Sequence, residues 1–267
     1  MRLAWAFFKR DAIVAFSYRI SFAVSLLEVA TILGVFYYIG KTIGQQNLPV
    51  LERYGGSFLA FLLIGIALTD CVGVSLTTFA QQIREGQMTG TLEATLMSPV
   101  RLAVILVYSS LWAYAFSALR LILYLRLGGL LYGVGMGHAN ILSALAIFLL
   151  TILCFMGIGM FWAGVVLLIK RGEAIMHLLG YVVVLVSGVL FPRGVLPAWI
   201  QRLGELVPMT PALEGMRMAL LQGSTIAQLA PVFWKLIAFA VVLQLIGIAG
   251  FNAAVRIGKT GGSLSEY

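Results

Sequence analysis

The run from Ile141 to Ile169 contains no Asp, Glu, Lys or Arg, and this stretch constrains the fold more than any other. A helix needs about 20 apolar residues to cross the ~30 Å hydrocarbon core of a bilayer, whereas a helix in a water-soluble domain keeps one polar face. Five further stretches qualify: about 21–40, broken by Glu28; 54–80, with Asp70; 102–127, with Arg120 and Arg126; 174–191; and 232–255, with Lys235 near its start. Composition agrees, at 61% apolar and 10% charged residues with a mean hydropathy of +1.01, against about 45–50% and about 25% in an ordinary soluble domain. So little charge cannot cover one compact soluble core. A soluble enzyme and a disordered chain are excluded. The expectation is an all-α integral membrane protein, one domain over residues 1–267 with six transmembrane helices.

Six spans return both termini to one side. Lys and Arg number ten in the amino terminus (Arg2, Lys9, Arg10, Arg19), the 81–101 loop (Arg84, Arg101), the 170–173 turn (Lys170, Arg171) and the tail (Arg256, Lys259). The alternate segments hold five: Lys41, Arg53, Arg193, Arg202 and Arg217. Positive residues collect on the cytoplasmic side, so both termini are expected there. The net charge of +8 reads as orientation, not as nucleic-acid binding, because its residues are scattered singly along membrane flanks. Residues 1–20 do not read as a cleavable signal. Leu3, Phe7, Val14 and Tyr18 form one stripe, interrupted by Asp11, which fits a helix lying on the cytoplasmic membrane surface.

Two connections stand out. Residues 192–222 hold four of the chain's seven prolines (Pro192, Pro197, Pro208, Pro211) beside Trp199, Glu205, Glu214 and Arg217. The segment is too apolar for a solvated loop and too broken for a span, so short re-entrant helices buried against protein are expected. In the loop 81–101, Gly86 and Gly90 punctuate the chain, Thr91 can cap a short helix, and Pro99 ends it. That helix would carry Leu92 and Leu96 on one side, four apart, with Glu93 beside them. It reads either as a helix pressed into a partner's groove or as an ordinary turn.

The run Arg84-Glu85 … Gly90-Thr91-Leu92-Glu93 … Leu96 … Ser98-Pro99 resembles the cytoplasmic motif of type-2 ABC exporter permeases. Ser187-Gly-Val-Leu-Phe-Pro192 … Pro197-Ala-Trp199 … Pro208-Met-Thr-Pro211 … Glu214 … Arg217 resembles the outer re-entrant segment of the same family. The resemblance implies a membrane subunit that pairs as a dimer, most simply a homodimer, in a bacterial or archaeal inner membrane. It further implies docking on a separate ABC ATPase subunit through a coupling helix made of Arg84, Glu85, Gly90, Thr91, Leu92, Glu93, Leu96, Ser98 and Pro99. This chain would then bind no cofactor, and ATP and Mg would sit on the partner. By the family's pattern the substrate path is lined by the first, second and fifth spans, which makes Glu28, Phe36, Tyr37, Asp70 and Tyr181 its candidate residues. The implied substrates are amphipathic: drugs, lipids or lipid-linked oligosaccharides. A long-polysaccharide exporter is the alternative within the family.

Other residues keep plainer readings. Glu28 and Asp70 are costly charges in a membrane; they pair with Arg120, Arg126 or Lys235, or they serve an ion-gradient-driven carrier. Arg120, Arg126 and Lys235 read as side chains snorkelling to the headgroups. Phe36, Tyr37, Tyr38 and Trp199 fit an aromatic belt. His138, His177, Cys71 and Cys154 read as structural, with no metal-ligand company. Gly258-Lys259-Thr260 mimics the end of a phosphate-binding loop, but Ala253 stands where that pattern needs its first glycine.

Overall fold

Among the described residues, five helices are long and apolar enough to cross a membrane, and a sixth apolar helix is shorter. The computed structural model describes residues 2–43, 58–92, 95, 97–133, 137–169 and 173–260. Among them nine α-helices follow in order: α1 (Arg2–Ser17), α2 (Arg19–Ile43), α3 (Phe58–Met88), α4 (Leu102–Tyr132), α5 (Ile141–Ile169), α6 (Glu173–Ser187), α7 (Ala198–Glu205), α8 (Met209–Leu221) and α9 (Ala230–Thr260). The membrane-length helices are α2, α3, α4, α5 and α9. Hydrocarbon offers backbone N–H and C=O groups no water, so a crossing segment satisfies them within its own helix.

Two boundaries differ from expectation. Helix α3 runs straight through Gly86 to Met88, so Gln81–Met88 belongs to the helix and not to the loop. At 31 residues it is about 46 Å long, well beyond the hydrocarbon core. The expected span 174–191 is a helix of 15 residues, about 22 Å. It stops at Ser187 because Gly188 takes φ +71° and turns the chain.

Helix α5 is the centre of the bundle, packed by α3, α9 and α8. One buried cluster joins Val29 and Leu33 of α2, Leu63 to Leu76 of α3, Phe155 of α5 and Met216 of α8. A second, at the other end, joins Phe79, Ile83, Leu92, Leu102, Leu106, Leu167 and Phe251. That end also holds α1, which lies against the start of α4, and the last turns of α9.

The α5–α9 contact is close because glycines meet there. A Cβ on Gly157 would lie 2.5 Å from the Leu243 carbonyl oxygen, and one on Gly247 would run into the Gly157 carbonyl. Small residues let membrane helices approach to van der Waals contact, the main attraction left to them in lipid. We expect Gly247→Leu to cost about 1–3 kcal/mol by overpacking, read as a lower melting temperature in detergent. Gly34→Ala, whose Cβ meets nothing within 4 Å, should leave melting unchanged or raised.

Helix α1 docks on aromatic groups of α4. Phe7 meets Tyr108 (6.3 Å between ring centres), and Phe8 and Phe16 both meet Trp112 (5.5 and 5.7 Å). Of the expected stripe, Phe7 meets α4, and Val14 and Tyr18 are exposed. The partner's aromatic residues choose the face, and a helix wheel of α1 alone does not contain them. Asp11, inside the docked face, is neutralised by Arg10 at 2.7 Å.

The prolines of 192–222 sit where a missing N–H costs nothing. Pro197 precedes α7, and its carbonyl accepts from Ile200 and Gln201. Pro208 precedes α8 and Pro211 lies in its first turn. Pro192 opens the 3₁₀ turn Arg193–Val195. Arg193 donates to the Gln201 carbonyl at 2.6 Å, and Thr210 donates to that of Gly204. These bonds fold the segment into two short helices, α7 with exposed Trp199 and α8 almost wholly buried.

Candidate functional site

The loop after α3 is built around one reversal and one anchor. Gly90 adopts φ +67°, which a glycine takes without strain. The reversal folds Leu92 back onto Gly86, where a Cβ would stand 3.6 Å from Leu92 Cβ. Leu92 is buried in the cluster formed by α3, α4, α5 and α9. Its side chain therefore anchors the loop to this chain instead of facing outward. The Thr91 carbonyl accepts from the Thr95 amide (3.0 Å) as a helix start does, and the Thr91 hydroxyl meets that of Thr89 (2.9 Å). Ser98 Oγ accepts from the Val100 amide across Pro99 at 3.3 Å. Arg84 and Glu85 lie on the last turns of α3, and the Glu85 carbonyl accepts from Thr89. Glu93 and Leu96 lie outside the described residues. The apolar groups facing outward are Met88 and Met97, 74% and 87% exposed, which sequence reasoning missed. Their signal was present: two methionines flank the Gly-Thr-Leu-Glu run.

Partway along α2, α3 and α4, three charged residues from three helices meet. Arg120 Nη2 of α4 lies 2.6 Å from Asp70 Oδ1 of α3 and 3.2 Å from Glu28 Oε2 of α2. The snorkelling expected of Arg120 is corrected, because its side chain is only 12% exposed and turns inward to two carboxylates. Pairing is the cheapest way to keep ions in hydrocarbon. The exposed member is Glu28, at 55%.

The other path candidates are spread out. Tyr37 stacks on Tyr132 of α4 (5.8 Å, 13° between planes), and the Tyr132 hydroxyl donates to the Leu33 carbonyl at 2.6 Å. This aromatic pair ties the far ends of α2 and α4. Phe36 is half-buried on the same helix. Tyr181 lines an open crevice of about 180 Å³ between α3 and α6, with Thr69, Gly73 and Thr77 on one wall and His177 and Gly180 on the other. Gly73 and Gly180 leave its space clear. The four-residue spacing of Thr69, Gly73 and Thr77, and of His177 and Tyr181, was a readable sign of one shared face.

Arg217, expected in an outer segment, is 4% exposed on α8. Its guanidinium donates to the carbonyls of Gly188 (3.2 Å), Val189 (3.1 Å) and Phe61 (3.3 Å) and lies 3.3 Å over the Phe61 ring. One side chain thus joins α8, the end of α6 and the start of α3. Gly65 admits it: a Cβ there would meet the Val189 carbonyl at 2.6 Å. Glu214 is half-buried on the same helix.

Helices of this length and apolar character define an integral membrane protein. Its family follows from the chain as a whole. The model of the ABC-2 type transporter family matches residues 2–221. The chain belongs to that family: it is a type-2 permease, the membrane component of an ABC transporter and not a catalytic subunit. The match ends at the last residue of α8, so α9 follows it. No curated protein matches the chain.

Proposed function

We propose that this permease exports an amphipathic substrate (a drug, lipid or lipid-linked oligosaccharide) as a homodimer coupled to a separate ABC ATPase subunit in a bacterial or archaeal inner membrane. The observation that carries the reading is the loop after α3. Buried Leu92 ties it to the cores of α3, α4 and α5, while Met88, Thr89, Gly90, Thr91 and Met97 face outward. A rigidly mounted apolar tip transmits a partner's movement to the helices behind it, and Met-rich surfaces suit docking. ATP and Mg belong to the partner, whose closure biases the permease between two exposures.

Orientation follows the same reading. Arg217 is a buried clamp and no loop charge, so it leaves the tally of positive residues, and the bias becomes ten against four. Both termini and the docking loop then face the cytoplasm. In this layout α6 completes a sixth crossing together with residues 188–191, and α7 and α8 re-enter from the outer side. The path lies between protomers, along the exposed faces of α2 and α6 and the crevice holding Tyr181. Glu28, a half-exposed carboxylate on an open helix face, is costly against lipid and acceptable against a polar path. An ion-gradient carrier would need Asp70 free to exchange a cation, and Arg120 already holds it at 2.6 Å.

The test is a mild-detergent purification of the tagged permease from its native membrane. A stoichiometric subunit bearing a phosphate-binding loop is expected. Glu93→Arg and Met97→Glu should lower its recovery roughly tenfold or more, as loss of an interface hot spot does, with the permease's own melting unchanged. A chain that purifies alone and moves solute alone under a pH gradient overturns the reading.

A further inference from the structure

Helices α4 and α5 each pack on α3 and barely on each other, which leaves a crevice of about 580 Å³ between them, floored by α8. Its walls are apolar, with Leu125 of α4, Phe148 of α5, and Met216 and Leu220 of α8 among them. Ile122 and Leu145, 54% and 51% exposed, are the apolar residues at its open side. The single charged lining residue is Arg126. Among the described residues it has no carboxylate or carbonyl partner.

The two arginines of α4 therefore contrast. Arg120 is paired with two carboxylates through its Nη2. Arg126 lies six residues on, about 9 Å closer to the helix end, and stays exposed at the rim of an apolar cleft. Ile141, the first residue of α5, lines the same rim, so the positive end of the α5 dipole stands there too. A guanidinium beside a helix N-terminus, above a cleft of acyl-chain dimensions, is complementary to one ligand chemistry: a phosphodiester on a hydrocarbon tail.

We propose that the α4–α5 crevice is a binding site for an anionic phospholipid of the surrounding bilayer, with its phosphate on Arg126 and one acyl chain against Phe148 and the α8 floor. The site lies at the end of the bundle opposite the last turns of α9. It requires only that the helices are embedded in a membrane, and it is independent of ATPase docking and of the exported substrate. A lipid bound there stabilises the fold by mass action and braces α8, the helix that carries the Arg217 clamp.

Native mass spectrometry of the purified permease, equilibrated with phosphatidylglycerol or with phosphatidylcholine of equal chain length, tests it. The wild type should retain phosphatidylglycerol preferentially, and Arg126→Gln should lower that retention about fivefold, the effect of one basic residue on an anionic lipid. Phosphatidylglycerol should also raise the melting temperature of the wild type and not that of Arg126→Gln. Ala118→Phe, which fills the crevice from α4, should reduce retention of both lipids. Equal retention of the two lipids by the wild type, or undiminished phosphatidylglycerol on Arg126→Gln, overturns the proposal. Arg126 is exposed, so that variant should fold normally and decide the matter even where Ala118→Phe does not.

Discussion

Replacing Arg217 with Met is expected to cost about 3–5 kcal/mol, the range for leaving buried groups without their charged partner. Helix α6 ends abruptly at Gly188, and the last carbonyls of a helix have no partner within it. Here the Gly188 and Val189 carbonyls turn to a guanidinium, joined by the Phe61 carbonyl of α3. Bonds from a charged donor contribute about 1.5–3 kcal/mol each, and no water in hydrocarbon replaces them. The negative end of the α6 dipole, at Ser187, lies next to Gly188 and also favours a cation. Arg217→Lys should be intermediate, because a single ammonium keeps the charge but lacks the planar fork that reaches several acceptors at once. Thermal melting of both variants in detergent measures this. An Arg217→Met permease that melts like the wild type would show that α6 and α3 are held together by packing alone.

The Arg120 triad should behave differently, because its loss can be compensated. Arg120→Met strands Asp70 and leaves Glu28 unpaired, at a cost of about 3–5 kcal/mol. Adding Asp70→Asn removes the stranded charge, so the double variant should recover most of the loss. Asp70 and Arg120 are 16% and 12% exposed, so water screens their pairing little. Glu28 at 55% contributes far less to stability, and Glu28→Gln should shift melting only slightly. A double-mutant cycle on Asp70 and Arg120 reads the coupling directly. A double variant as unstable as Arg120→Met would mean that the arginine's packing, not its charge, is what the fold needs.

The membrane-length helices were legible because bilayer thickness prescribes their length, and five of the six stretches recur as such helices, with ends shifted by up to eight residues, the most at Met88 of α3. The stretch 174–191 was only partly legible: its apolar character is real, but Gly188 cuts the helix short. The proline-rich segment was legible as broken helix, since each proline marks a helix start. The Gly-Thr-Leu-Glu loop stood out through its glycine, and Gly90 does make the turn.

Facing was the illegible part. A soluble helix shows its buried face by its polar one, but a helix that is apolar nearly all round carries no such stripe. Hence Leu92 reads as a docking side chain until the bundle buries it, and α1 by itself does not show that Phe8 and Phe16 meet Trp112. Charge partners were hidden for the same reason. Arg120 meets Asp70 and Glu28 over separations of 50 and 92 residues, and nothing local to any of the three names the others. The amino-acid sequence alone determined that this chain lives in a membrane, how its helices are cut, and which loop departs from the pattern, because bilayer thickness, proline and glycine act locally. Only the tertiary structure decided which arginine is clamp, which is ion-pair partner and which is left at an open rim, because in hydrocarbon a charge is stabilised by whatever polar group a distant helix brings to it.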